Sequence, residues 1–216
     1  MRAEVTQSFL DNNCFIFHSD YGKKGVTLTN AQRIKNQITN AEQVKEFQNI
    51  NVFTGKENIV DIDLDCTEAL QLADDFLLPS GIEFGRESTP RSHRLYKILD
   101  LNKKHTRSAF IFRSSDKDNT LVELRANNHY TMCGGMYDEK EKVVHTKLGK
   151  LTEINYDQLH KSVAMLACAC AIKRKYPPVG VRNDYIKLIV ATLFQYKISE
   201  DDCFKILSSA SKHDDE

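Results

Sequence analysis

Three carboxylates alternate with apolar residues in the segment NIVDIDLDC, at Asp61, Asp63 and Asp65. In an extended strand successive side chains point to opposite faces, so the three acids share one face and Ile62 and Leu64 take the other. Carboxylates crowded on one face repel each other and are costly to bury unless a cation sits among them. A divalent cation answers both problems. Hard oxygen donors suit Mg2+ or Mn2+, and two such ions can clamp the attacking and leaving oxygens of a phosphoryl transfer. The competing reading is an edge strand whose acidic face is solvated.

Two further segments carry chemistry. In FGRESTPRSHRLYKI, Arg86, Ser88, Arg91, Ser92 and His93 fall within eight positions, after the Pro79-Ser80-Gly81 break and just ahead of a strand. Guanidinium groups and hydroxyls at a strand entrance suit a polyanion such as a triphosphate, and His93 can donate to a phosphate oxygen. Alone this is a polar surface loop; beside an acidic metal face it is the other half of metal–nucleotide chemistry. In TLVELRANNHYTMCGG, Glu123 lies between Val122 and Leu124 and faces away from them, so it can join the aspartates as a ligand. Arg125 shares its face, and the plainer reading is a surface ion pair. Gly134-Gly135 permits a tight turn or close backbone approach.

These residues need elements to hold them. Apolar spacing predicts a helix over 30–47, with Ala31, Ile34, Ile38, Ala41 and Val44 on one side. Residues 58–64 read as a strand, and Thr67 as the N-cap of a helix through Leu77 that buries Ala69, Leu70, Ala73 and Leu77. Further strands are expected at 82–84, 93–99, 109–113, 121–124 and 143–145, with a turn at 114–118. This order predicts an α+β core with a mainly antiparallel sheet. Near residue 150 the composition turns helical, with helices over 155–175, 183–196 and 200–209 and a frayed tail. The chain therefore divides into residues 1–150, carrying the chemistry, and a helical region, 151–216. That region either caps the core or forms a separate module.

Composition narrows the classes. The 216 residues carry 30 basic and 30 acidic side chains, so binding of nucleic acid through bulk positive charge is not expected. Template contacts would fall to local groups: Lys23-Lys24, Lys103-Lys104 with His105 and Arg107, and Lys173-Arg174-Lys175. The last of these sits at a helix C-terminus, where cations are favoured anyway. No stretch approaches about 18 uninterrupted apolar residues, so no membrane-spanning helix is expected. The N-terminus lacks the apolar core of a signal peptide, and a reducing, cytoplasmic setting is expected. The six cysteines show neither C-x-x-C pairing nor a matching histidine spacing, which argues against structural zinc; Cys168 and Cys170 read as small core residues.

Taken in order, VDIDLD (60–65), PRSH (90–93) with its lead-in FGRES, and VELR (122–125) resemble the motifs of the archaeo-eukaryotic primase superfamily. The likeness is to the primase-polymerase domains of phage and plasmid replication proteins. It covers roughly residues 50–147 and extends more weakly into PPVGVRNDYIKLIVATLF. It implies an RNA-recognition-like antiparallel sheet packed with a second αβ unit, plus a small C-terminal helical region. The implied activity is template-directed nucleotidyl transfer, as a DNA primase or polymerase replicating a mobile element or virus. By the same resemblance, Asp61, Asp63, Asp65 and Glu123 hold two divalent ions, Mg2+ or Mn2+, that activate a 3′-hydroxyl. His93 belongs to the catalytic set, and Arg86, Ser88, Arg91, Ser92 and His93 hold the phosphates. The implied partners are DNA template and primer, nucleoside triphosphates, and a helicase domain or protein.

Three aspartates compete for two motif places; Ile59-Val60 favours the pair Asp61 and Asp63. Arg91 stands where the superfamily has a small residue, and Glu123 where many members have Asp. No G-x-x-x-x-G-K-[ST] phosphate loop occurs, so the chain reads as the polymerising part of a replication protein or a stand-alone enzyme. Two other readings use the same residues: a non-catalytic nucleic-acid-binding module of the same fold, and a metal-dependent nuclease.

Overall fold

The computed structural model describes residues 2–20, 28–44, 48–100, 109–114, 120–138 and 140–212. In chain order its elements are helix α1 (Arg2–Asp11), strand β1 (Ile16–Asp20), helix α2 (Asn30–Lys35), strands β2 (Gln37–Ile38), β3 (Gln48–Phe53) and β4 (Ile59–Leu64), and helix α3 (Thr67–Phe76). There follow strands β5 (Ile82–Arg86), β6 (Thr89–Ile98), β7 (Ala109–Arg113), β8 (Thr120–Arg125), β9 (Tyr130–Gly134), β10 (Val143–Leu148) and β11 (Thr152–Ile154), then helices α4 (Tyr156–Arg174), α5 (Arg182–Gln195) and α6 (Glu200–Ser211). The class is α+β with antiparallel pairing throughout, save β11, which runs parallel to β6.

The acidic strand is central, not an edge. β4 lies between β6 and β8 in a sheet of order β10-β5-β6-β4-β8-β7, and a second sheet has the order β2-β1-β3-β9. The alternation in β4 sorts its residues between two cores. Val60, Ile62 and Leu64 pack with Tyr96, Val122 and Leu124 against α3, α4 and α6. Ile59 packs with Phe84 and Leu95 against Ile16, Ile50 and Val52 of the smaller sheet. Each such buried side chain contributes about 1.5–3 kcal/mol, so both faces of β4 are firmly held. The carboxylates lie on the side that meets the second sheet.

The helical region shares the first core. Leu159, Val163 and Leu166 of α4 and Ile206 of α6 sit among the sheet residues, so α4 and α6 cap the larger sheet. Among the described residues no helix is long and apolar enough to cross a membrane.

Three local expectations are corrected. The helix expected over 30–47 ends at Lys35. Thr29 and Gln32 cap its start reciprocally, Asn36 closes it, and Ile38 is then drawn into the sheet opposite Ile16 and fully buried. Burial in a sheet outweighs a weak helical spacing. Asn40 and Gln43 cap a short 3-10 turn beyond, and residues 45–47 lie outside the described residues. The N-cap of α3 is Cys66, whose Sγ accepts from the Ala69 amide; Thr67 is already helical. Of its expected inward residues Ala69, Ala73 and Leu77 are buried and Leu70 only partly so, while Leu72 and Phe76 are buried as well. Finally, residues 84–93 are not a loop before a strand but a hairpin of β5 and β6. Lys23-Lys24, Lys103-Lys104, His105, Arg107, residues 115–118 of the expected turn and the tail 213–216 lie outside the described residues.

Candidate active site

A groove of about 570 Å³ opens between the two sheets. One wall is Asp63, Asp65, Gly85, Arg86, Thr89, Ser92, His93 and Arg125; the other is Ser19, Asn51, Tyr130, Thr131 and Met132.

The β4 pleat carries Asp61 and Asp63 to this side, and register brings the other groups beside them. Asp63 stands opposite His93 of β6 and Glu123 of β8, and Asp61 opposite Arg125. Asp61, Asp63 and Glu123 are buried, while Asp65, in the turn after β4, is exposed. Among the described residues, Asp63, Asp65 and Glu123 each bring a ligand oxygen to within 4.8 Å of the others. An all-carboxylate set of this spacing fits a hard divalent cation. Asp61 is engaged differently. Its Oδ2 accepts from the Thr131 hydroxyl and lies 3.1 Å from His93 Nδ1, while its Oδ1 is buried without a hydrogen-bond partner.

Two basic groups from the chain itself stand among the acids. The Arg125 guanidinium touches Asp63, lies 2.8 Å from Glu123 Oε2 and reaches to 3.6 Å from Asp61. It is no surface pair: burial disfavours its charge, but Asp63, Asp61 and Glu123 outweigh that and hold its pKa above the usual value. His93 stacks on Phe84 with ring centroids 5.0 Å apart. Burial opposes its charged form too, yet Asp63 and Asp61 raise its pKa. The acids respond in turn. Burial works to raise Asp61, but His93, Arg125 and Thr131 outweigh it and leave its pKa low. Burial raises Asp63, with Asp61 and Glu123 adding to it against His93 and Arg125. Desolvation and the Asp63 charge push Asp65 up to about 6.

Of the expected phosphate ligands, Arg86, Ser92 and His93 line the groove. Arg86 lies over the Tyr137 ring, 4.7 Å from its centroid. Arg91 points elsewhere. Its Nε donates to Glu83 at 3.0 Å and its Nη2 to both oxygens of Asp74. A bulge is the cause: the β5–β6 register shifts between Phe84 and Arg86, so that Pro90, Arg91 and Ser92 stand opposite the single residue Gly85. A Cβ on Gly85 would lie 2.0 Å from the Thr89 carbonyl oxygen, so the bulge requires glycine there. Strict alternation from His93 would have put Arg91 in the groove; the bulge turns it to the helix side. Ser88, at the hairpin tip, is exposed and uses its backbone amide on Glu141.

Thr131, Asn51 and Ser19 were not anticipated. They come from the smaller sheet, and Asn51 Nδ2 donates to Ser19 Oγ at 2.9 Å. Their one sequence signal is polar residues at inward positions of short apolar strands.

The fold and groove thus define an α+β protein with a carboxylate cluster fit for a divalent cation beside an arginine-bearing hairpin. No protein-family model and no curated protein matches this chain.

Proposed function

We propose that the protein is a template-directed nucleotidyltransferase, a DNA primase or polymerase, that works with a divalent ion. The observation that carries this reading is that Asp63 and Asp65, on which the buried Glu123 converges, line one groove with Arg86, Ser92 and His93. The order of the three motifs and their resemblance to the archaeo-eukaryotic primase superfamily support it.

Asp63, Asp65 and Glu123 would hold the cation, and their all-oxygen chemistry favours Mg2+ or Mn2+. When bound, that ion supplies positive charge against the reacting phosphate and lowers the pKa of a coordinated hydroxyl. The rest falls to the chain. Arg86 pairs with phosphate oxygens at the hairpin end of the groove, and the Ser92 hydroxyl donates to them. His93, held by Asp61 and stacked on Phe84, presents its ring to the same oxygens. The β4, β6 and β8 backbones fix these groups relative to each other, so catalysis rests on positioning and charge.

The test is primer extension and de novo synthesis with Mg2+ or Mn2+, run beside Asp63→Ala. Incorporation by the parent and a loss of about 100-fold or more in the variant are expected. No incorporation on any template, or full activity of Asp63→Ala, defeats the reading. The second reading, a binding module of the same fold, is favoured by one observation: Arg125 already pairs with Asp63 and Glu123. It requires template binding that is indifferent to divalent ions, without synthesis.

A further inference from the structure

We propose that Arg125 is a resident cation of the acidic face, standing where a second divalent ion would sit, so that the free protein binds one divalent cation and not two. This rests on the metal reading above and concerns how many ions the face accepts.

The placement of the groups carries the argument. Four carboxylates gather on this side of the sheet: Asp61, Asp63, Asp65 and Glu123. They divide into two subsets. Asp63, Asp65 and Glu123 converge within 4.8 Å of one another. The Arg125 guanidinium lies on the buried side of that set: it touches Asp63, lies 2.8 Å from Glu123 and reaches to 3.6 Å from Asp61 beyond them. Asp61 is fully buried, while His93, Thr131 and Arg125 line the groove in front of it. Register supports this arrangement, because β8 sets Arg125 directly opposite Asp61 and Glu123 opposite Asp63.

Charge sets the count. The Arg125 guanidinium and the His93 ring, which lies against Asp61 and Asp63, offset at most two of the four carboxylate charges. One divalent ion on the converging acids brings the face close to neutrality. A second would make it positive and would lie against a guanidinium, where like charges repel strongly. Without Arg125 the pair Asp61 and Asp63 regains its capacity, since Asp61 Oδ1 has no hydrogen-bond partner among the described residues.

The experiment counts saturable Mn2+ sites on the full chain by electron paramagnetic resonance and calorimetry. The parent and Arg125→Lys bind one Mn2+; Arg125→Gln binds two, and its first ion about tenfold more tightly. Adding Asp61→Asn to Arg125→Gln returns the count to one, a reversal that a merely structural arginine would not produce. Two ions on the parent overturn the proposal and leave the metal site standing. No Mn2+ on the parent overturns both. A single site in folded Arg125→Gln also overturns it, and the parent's own count decides the matter if that variant does not fold.

Discussion

Arg86 and Arg91 are five residues apart, of the same type and on the same hairpin, yet the chain uses them oppositely. Arg86 has a partly exposed guanidinium over Tyr137, facing the groove. On the proposed function, replacing it with alanine raises nucleotide KM about tenfold, while the loss of its exposed 3.7 Å pair with Glu141 and its Tyr137 contact leaves stability within about 0.5 kcal/mol. Arg91 instead compensates Glu83, whose side chain is 1 % exposed and whose other cation is Lys147. Arg91→Ala leaves KM unchanged and lowers stability by about 1–2 kcal/mol, a loss limited by Lys147 and by solvent around Arg91. Nucleotide titration and urea unfolding of both variants check the pair, and the reverse pattern would return Arg91 to the groove. The residue types of the site were legible, because alternating acids on a strand have few uses. Which arginine faces them was not, since that depends on three residues of β6 standing opposite Gly85.

Between elements, the clamp that ties α3 to α4 is Glu68 with Arg174, held by hydrogen bonds of 3.1 and 2.9 Å. The Arg174 hydrogen bonds hold the Glu68 carboxyl down at about 2, against an ordinary 4.5. A carboxylate depressed in the folded state stabilises fully above its unfolded pKa and loses that contribution as pH falls through the folded one. The parent should therefore exceed Glu68→Gln in unfolding free energy by about 2 kcal/mol at neutral pH. The gap should narrow below about pH 4.5 and close near pH 2; a gap independent of pH would remove the ion pair from the account. This clamp sits one turn from the site, since α3 starts directly after Asp65 and Cys66. The elements around it were readable from apolar spacing: β4, α3, α4 and α6 all bury a periodic face. β1, β3 and β9 were not. IFHSD and QNINVF carry polar residues inward, Ser19, Asn49 and Asn51, whose hydrogen bonds come from distant partners that no local window contains. Ile38 left its helical spacing for the same reason, to pair with Ile16 across the chain.

At the scale of the molecule, β4 carries the carboxylates on one face and its core contacts on the other. Asp61 and Asp63 face the smaller sheet, and one residue away Val60, Ile62 and Leu64 face α3, α4 and α6. The balanced total of 30 acids and 30 bases hides this sorting, which sets acids against arginines across a few strands. It also ties the site to the C-terminal helices. A cut after residue 150 removes β11, which pairs with β6 from Tyr96 to Ile98, and uncovers the apolar side of the larger sheet. Leu159, Val163, Leu166 and Ile206 are each fully or almost fully buried there, and losing even one such side chain costs about 2–5 kcal/mol. Their joint loss exceeds the whole stability of an ordinary domain, about 5–15 kcal/mol. Residues 1–150 alone should therefore show no cooperative unfolding and no saturable Mn2+ site, while the full chain melts in one transition. Calorimetry and circular dichroism on the two lengths decide it. A separate melting step for the helical region, or a folded and Mn2+-binding 1–150, would make the helices a module and not the floor beneath the site.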